Sequence, residues 1–478
     1  GERVITSVRN PKLAAALRLH KRAFRERDRA FLVEGVGAVE EALGRPGGVA
    51  KLFCSDPAHP LVERGRRSSA DIVHVSEEVM ARLTSTVTPQ GLVALARFVD
   101  VPIEELGSDL ACVVLLHAVR DPGNAGTVLR SVDAAGAGAV LFSAGSVDVY
   151  NAKTVRASAG SLFHVPVARE VDTPAAIEAL RTRGVKVLAM EATAESDLYE
   201  LDLTDPVAFV FGNEAWGLPE EIAGLADAGV RIPIAGRAES LNLAAAATVC
   251  VFEWARQQRE GRRAVLETLI AAAAHDIRSP LTAMEGFGHS LSTRWDRMAP
   301  EQRDLMLQGI VVDADRMNAI VRQLVDAARL TAGRFELFPE RTDVADVVRR
   351  VAASVERNPD HPPVAWEGGD VVAFVDPDRL ESVVEAFVES LLWWTSEGPI
   401  RVSARLSSGR LLLTACRSGT ELTQEEADRL FRPRAPGTGA GSKMGLFVAL
   451  GIAEAQGGTV AANVGDSLCF TFNVPVQR

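Results

Sequence analysis

Three short segments concentrate side chains able to position a reacting group and to carry charge. They are DPGNAGTVLRSVDAAGA with Asn124, Gly126 and Arg130; Gly212 followed by NEAWGL, with Glu214 and Gly217; and IPIAGRAESLNLA, with Ile232, Gly236, Ser240, Leu241 and Asn242. Each follows an apolar run that reads as a buried strand, and open parallel sheets bind ligands at the carboxyl ends of their strands. Gly212, Gly217 and Gly236 permit tight turns and close approach of backbone to a ligand, and Ser240 or Asn242 suits the cap of the helix that follows. Taken singly, each segment also has a plain reading: glycines as turn punctuation, Asn124 in a turn, Arg130 on a solvated helix face. A fourth segment, AAAAHDIRSPLTAMEGF, sets His275 beside Asp276 in a helical pattern, where a lone histidine is usually structural.

The elements that must position these residues follow from hydrophobic patterning. Ala111–Leu116, Ala139–Ser143, Lys186–Glu191, Val207–Phe211 and Gly229–Pro233 read as strands, and Thr127–Ala135, Pro174–Arg183, Pro219–Leu225 and Leu241–Arg256 as helices between them. That alternation predicts an α/β domain with a mostly parallel sheet. Before it, residues 1–100 mix helical periodicity (Pro11–His20, Gly37–Leu43) with strands Val49–Cys54 and Gly91–Phe98, and a turn-rich hinge, Val101–Ser108, follows. Beyond the polar stretch Gln257–Arg263, a long helical region reaches about Leu330, broken near Ala299–Pro300. The last part is α+β: helix Asp378–Trp394, strands Ile400–Leu406 and Arg410–Ala415, a Gly-rich loop and helix Leu446–Gln456.

At 478 residues the chain has room for three or four domains, and 47% hydrophobic with 24% charged residues excludes wholesale disorder. No apolar run approaches the roughly 18 residues of a membrane span, no secretory signal is visible, and a reducing cytoplasm is expected. Cys54, Cys112, Cys250, Cys416 and Cys469 lie far apart without a CxxC pair, which argues against both a thiolate zinc site and a disulfide scaffold. No metal site is signalled. With 5% aromatic residues, stacking platforms for single-stranded nucleic acid are not expected. The net charge of −11 also speaks against nucleic acid, yet residues 1–30 hold nine basic and three acidic side chains. Arg9, Lys12, Lys21, Arg22 and Arg25 in that stretch are the candidate phosphate contacts.

Together, the three motifs resemble the SpoU (TrmH-like) branch of the SPOUT RNA methyltransferases, over residues 1 to about 258. SVRNPK and FLVEG at the front resemble that family's small RNA-binding domain. The resemblance implies methyl transfer from S-adenosylmethionine to a ribose 2′-hydroxyl, ribosomal RNA rather than transfer RNA as substrate, a homodimer, and a trefoil knot gripping the cofactor. Elementary topology rules alone would not suggest a knot. It also implies that Gly212, Gly217, Ile232 and Leu241 hold the cofactor, and that Asn124, Arg130, Glu214, Ser240 and Asn242 shape the reacting site. Ala244 departs from the pattern, since many relatives carry a second serine there. Arg130 suits stabilisation of a developing alkoxide. A guanidinium hardly deprotonates, so proton removal through a neighbouring phosphate is as consistent as a basic arginine.

HDIRSPL and the strings DPDRLESVVEAFVESLLWWTSEG, RSGTELTQEEADRLF and GAGSKMGLFVALGIAEAQGG resemble, in order, the phosphoacceptor and ATP-binding boxes of bacterial sensor histidine kinases. The resemblance makes His275 the phosphoacceptor, and a response regulator a partner only if that histidine is phosphorylated. The nucleotide boxes are eroded: Ser390 and Ala386 replace asparagines, Arg417 the adenine-reading aspartate, Glu421 a glycine and Lys443 another, while Gly419, Gly441, Gly445 and Leu446 persist. Magnesium needs hard oxygen ligands, and an arginine accepts no hydrogen bond. ATP with magnesium is therefore expected to bind weakly or not at all, unless Arg417 and Lys443 refit the pocket for another ligand.

The expected fold is a multidomain α/β chain. It comprises a small α/β RNA-binding domain (1–100), a knotted parallel-sheet SPOUT domain (108–258), a helical-hairpin dimerisation bundle (264–333) and an α+β GHKL-type ATPase-like domain (340–478). Two other functions stay open on the sequence: a non-catalytic RNA-binding adaptor, and a soluble histidine kinase whose front half senses RNA or cofactor.

Overall fold

The computed structural model describes residues 4–86, 89–107, 110–358, 361–432 and 444–476. Two compact units divide the chain, Gly1–Arg259 and Glu260–Arg478.

The first unit holds two sheets. A four-stranded sheet has the order β1-β4-β2-β3, with β1 Ala30–Glu34, β2 Val49–Cys54, β3 Asp71–His74 and β4 Leu92–Arg97. The second has seven strands in the order β7-β6-β5-β10-β8-β11-β9. Its members are β5 Cys112–Leu116, β6 Ala139–Ser143, β7 Val167–Val171, β8 Lys186–Met190, β9 Ser196–Asp197, β10 Val207–Phe211 and β11 Ala228–Arg231. Every pairing in it is parallel. Strands β5, β6 and β10 are buried along their whole length, which is why they read as unbroken apolar runs. From β5 the chain adds β6 and β7 to one side, then crosses to place β8 on the other and later lays β10 between β8 and β5. The sheet therefore reverses between β5 and β10, and a crevice opens at such a point.

Edge strand β7 is absent from the sequence reading because Arg169 and Glu170 interrupt its apolar pattern. Helix Pro122–Ala135 begins five residues before the expected Thr127, because Asp121 caps it and Pro122 occupies its first turn. Gly126 on that helix faces Thr154 and Ala157 so closely that a Cβ would not fit, so this glycine serves helix packing rather than a ligand. The two sheets share apolar core: Phe31 of β1 packs on Tyr150, with ring centroids 4.6 Å apart. Helix Leu243–Arg294 continues well beyond the expected Arg256, past Gly261 and Pro280.

The second unit contains helix Pro300–Thr331 and a five-stranded sheet in the order β13-β15-β16-β18-β17. These strands are β13 Val364–Trp366, β15 Glu397–Ser407, β16 Arg410–Ser418, β17 Thr459–Val464 and β18 Ser467–Pro475. A two-stranded ribbon joins β12 Glu340–Asp343 and β14 Val372–Val375. Helices Val344–Val355, Pro377–Trp394 and Met444–Ala455 pack with the sheet around Phe387, Phe470 and Phe472. One expectation fails here. Cys416 and Cys469 face each other directly across β16 and β18 and are joined as a disulfide. Sequence separation concealed the pair, whereas strand register brings the two sulfurs together. Cys112 and Cys250 remain free thiols, and like Cys54 they are buried.

No helix among the described residues is long and apolar enough to cross a membrane.

Candidate active site

The crevice between the ends of β5 and β10 is built from a chain of side-chain hydrogen bonds. Asp121 caps helix Pro122–Ala135 by accepting from the Asn124 N–H at 2.8 Å, which sets Asn124 on the first helical turn. The Asn124 side-chain amide donates to Glu214 Oε1 at 3.2 Å, and its oxygen accepts from Asn242 Nδ2 at 3.0 Å. Asn242 in turn caps helix Leu243–Arg294, its Oδ1 accepting from the N–H groups of Ala244 and Ala245 at 3.0 and 3.3 Å. Three segments distant in sequence thus meet through two amides and one carboxylate.

Glu214 accepts three hydrogen bonds. Besides Asn124, it takes the backbone N–H of Asp121 at 3.0 Å and of Arg120 at 3.1 Å. Burial pushes its carboxyl up, but these N–H groups and the Asn124 amide outweigh it and hold the group below the usual glutamate range. Asp121 is likewise lowered, chiefly by the Asn124 N–H and then by Lys153. Both are carboxylates at neutral pH. Glu214 serves as an anchored anion that fixes the Arg120–Asn124 turn, and it is poorly suited to shuttle a proton.

The loop after β10 closes on itself. Asn213 and Gly217 exchange backbone hydrogen bonds at 3.0 and 2.9 Å. A Cβ on Gly212 would collide with the backbone of Gly217, and Gly217 has φ +72°, so both glycines are required by this turn. Buried Asn213 ties the turn to the β5 exit by donating to the Ala118 carbonyl at 2.7 Å. The resulting cleft has a volume of about 640 Å³ and is lined by Arg120, Asn124, Asn213, Glu214, Trp216 and Asn242 among others. Arg120, Asn213 and Trp216 were not singled out from sequence. Their signal was adjacency: each neighbours a motif residue on a strand-end loop.

The remaining candidates lie elsewhere. Arg130 is on the same helix as Asn124, about 9 Å further along its axis. It is exposed and has no hydrogen-bond or ion-pair partner among the described residues. Ile232 is half-buried, and Ser240 and Leu241 are exposed, on a stretch without regular secondary structure over 232–242.

The basic front divides sharply. Arg9 and Lys21 are exposed and lack an ion-pair partner among the described residues. Lys12 pairs with Asp71 at 3.0 Å and Arg22 with Glu170 at 2.5 Å, both at the surface. Arg25 is no phosphate contact. Only 5% exposed, it is held by Asp148 and by the carbonyls of Leu19 and His20.

In the second unit, the His275 side chain is 64% exposed, with Nδ1 3.1 Å from Asp276 Oδ1. Ser390 turns its hydroxyl back to the Ala386 carbonyl at 2.7 Å, an intrahelical bond. Gly445 packs against Ala386, and Gly419 adopts φ +81° beside Ser396 and Glu397. Arg417 is buried, donating to the carbonyls of Thr395 and Gly398 at 2.8 and 3.0 Å, and burial lowers its pKa. Its guanidinium therefore ties chain segments together, contrary to a refitted pocket in which Arg417 grips an acidic ligand. Gly441 and Lys443 lie outside the described residues.

Known protein families match three segments of the chain. The SpoU rRNA Methylase family matches residues 111–252, the MRM3-like substrate binding domain residues 10–94, and the His Kinase A (phospho-acceptor) domain residues 265–333. The chain is 34% identical to the 23S rRNA (guanosine(2553)-2′-O)-methyltransferase RlmP of Bacillus subtilis, over 52% of this chain and 97% of that protein. It is 34% identical to the 23S rRNA (guanosine-2′-O-)-methyltransferase RlmB of Xylella fastidiosa, over 41% of this chain and 82% of that protein. Among solved structures, the AdoMet-bound rRNA methyltransferase from Sinorhizobium meliloti superposes with a TM-score of 0.50 at 34% identity, covering 53% of this chain and 97% of that one. By these matches and by its parallel sheet, the chain belongs to the SpoU rRNA methylase family, with a histidine-kinase phosphoacceptor domain on the same polypeptide.

Proposed function

We propose that the chain is an S-adenosylmethionine-dependent RNA methyltransferase that modifies a ribose 2′-hydroxyl of ribosomal RNA and carries a kinase-like regulatory module. The observation that carries this reading is the hydrogen-bonded set Asn242–Asn124–Glu214 at the point where the parallel sheet reverses. The residues expected around the cofactor fit it. Exposed Gly217 has open space where a side chain would stand, and the 232–241 stretch runs without regular secondary structure past half-buried Ile232 and exposed Leu241. When bound, S-adenosylmethionine supplies an electrophilic methyl group on sulfonium.

What this chain's residues must do is align the 2′-oxygen with that methyl and stabilise charge as the hydroxyl proton leaves. Asn124 and Asn242 are oriented amides that position the ribose, and anchored Glu214 keeps Asn124 in place. Arg130 supplies the positive charge. Because it stands outside the cleft of its own protomer, we assign it to the cleft of a second copy, so the active species is a homodimer. Residues 108–258 then form the knotted catalytic domain, with Ser240 and Leu241 in the knot, and residues 1–100 present Arg9 and Lys21 to RNA.

Residues 264–333 are the dimerising helical hairpin, and residues 340–478 a nucleotide-binding domain that has lost its ligand. Buried Arg417 and inward-bonded Ser390 support a scaffold or regulator over a working kinase. Incubating the full chain with labelled S-adenosylmethionine and either ribosomal or transfer RNA, then mapping the labelled nucleotide, tests the reading. A 2′-O-methyl nucleotide in ribosomal RNA is expected. Absence of label from both RNAs would leave the adaptor reading in its place.

A further inference from the structure

Trp216 is the aromatic side chain of the cleft lining, and the chemistry above does not use it. The residue is 59% exposed, although large aromatics usually bury most of their surface. It sits within the short loop whose ends are clamped by the Asn213–Gly217 hydrogen bonds, so little backbone freedom accompanies that exposure. Arg120 lies over one side of the ring, its Cζ 5.5 Å from the ring centroid. Arg120 also gives its backbone N–H to Glu214, the carboxylate that holds Asn124. The aromatic surface and the amide of the reacting site are therefore tied to one carboxylate, and their spacing is set in advance.

We propose that Trp216, backed by Arg120, is the stacking platform for the base of the RNA nucleotide whose ribose enters the Asn124–Asn242 cleft. This rests on the methyltransferase reading and adds to it the residue that seats the target nucleotide. A ribose 2′-hydroxyl within paired RNA is hard to reach, and an enzyme that draws the nucleotide out must compensate for the stacking it loses. An indole face provides that compensation without regard to base identity. The Arg120 guanidinium adds a cation beside the ring, able to meet a phosphate of the same strand. A composition poor in aromatics is consistent with one such platform at one nucleotide, although it excludes a track that stacks many bases.

The adenine of the cofactor is the other aromatic base that could stack here, and the test separates the two. Full-length wild type, W216A, W216F and R120A would be assayed for methyl transfer to protein-free ribosomal RNA. Each would also be titrated with S-adenosylmethionine by calorimetry, and with a short mixed-sequence single-stranded RNA by tryptophan fluorescence. W216A is expected to raise KM for RNA about tenfold, with cofactor affinity changed less than about twofold. W216F should recover most of the affinity, and the RNA-dependent quench of wild type should be missing from W216F. R120A should fall between wild type and W216A. Since Trp216 is exposed, its melting temperature should be unaltered, which separates this role from a structural one.

An unchanged KM in W216A would overturn the proposal. So would a loss of cofactor affinity parallel to the loss of RNA affinity, which would assign the indole to adenine. If wild type transfers no methyl group, the function itself is wrong, whereas the RNA quench difference between wild type and W216F still decides whether Trp216 stacks on a base.

Discussion

Arg25 gives both Nε and Nη2 to a single oxygen of Asp148, at 2.9 and 2.5 Å, across 123 residues of sequence. Both side chains are almost fully buried, and the remaining Arg25 donor group is taken by the Leu19 and His20 carbonyls. Removing one partner of such a pair leaves a buried charge without compensation, which costs about 3–5 kcal/mol. Arg25→Ala should therefore lower the melting temperature of the full chain markedly. The fraction that remains folded should keep its RNA affinity. The opposite outcome, intact stability with weakened RNA binding, would return Arg25 to the surface.

That residue also marks the limit of what was legible beforehand. Composition correctly identified the front of the chain as basic, but a cluster of five cations does not say which ones face water. Arg25 is turned inward by a carboxylate in another domain-sized segment, a long-range contact that carries no local signature. Strands β5, β6 and β10 were legible because burial on both faces demands continuous apolar sequence. Edge strand β7 was not, because one of its faces is wet and charged. The same logic governs the site. The family resemblance already marks Asn124, Glu214 and Asn242, which the fold brings into one hydrogen-bonded set, while Trp216 and Arg120 acquire meaning only from their mutual placement in space. The Cys416–Cys469 pair depends on β-sheet register, which residue spacing does not reveal.

His164 bridges the two sheet-bearing parts of the first unit, with Nε2 2.9 Å from Glu41 and Nδ1 2.9 Å from Asp133. Hydrogen bonds to Asp133 and then Glu41 raise its pKa above the ordinary value of 6.5. A raised folded-state pKa means that the stabilisation is fully present below the unfolded value. It is lost as pH rises through the folded one. The difference in melting temperature between wild type and H164Q should accordingly be largest near pH 6 and shrink steadily on the alkaline side, above about 6.5. A difference that grows with pH would show that the imidazole is not held as a cation between the two carboxylates.

The kinase-like half makes a separate demand. Arg417, which the histidine-kinase resemblance sets in place of an adenine-reading aspartate, spends its donors on the Thr395 and Gly398 carbonyls. Ser390, in place of an asparagine, points its hydroxyl along its own helix. Calorimetry with ATP and magnesium on the full chain should show no submillimolar binding. Radiolabelled ATP should leave no label on His275, exposed though that side chain is. Binding together with label on His275 would restore a working kinase and make a response regulator its partner.

Arg130 provides the sharpest test of the dimeric site. It is exposed and unpartnered among the described residues, so Arg130→Ala should leave the unfolding free energy within about 0.5 kcal/mol of wild type. Yet it should remove most methyl transfer. Asn242→Ala should also abolish transfer, by releasing Asn124 and uncapping helix Leu243–Arg294. If the arginine serves the cleft of the opposite copy, mixed dimers of the two variants contain one cleft with neither lesion and one with both. Mixing Arg130→Ala with Asn242→Ala chains under conditions that exchange subunits should then recover up to about a quarter of wild-type activity, since random exchange places half the chains in mixed dimers with one competent cleft each. If each arginine serves its own protomer, every cleft in a mixed dimer carries one lesion, and no activity returns.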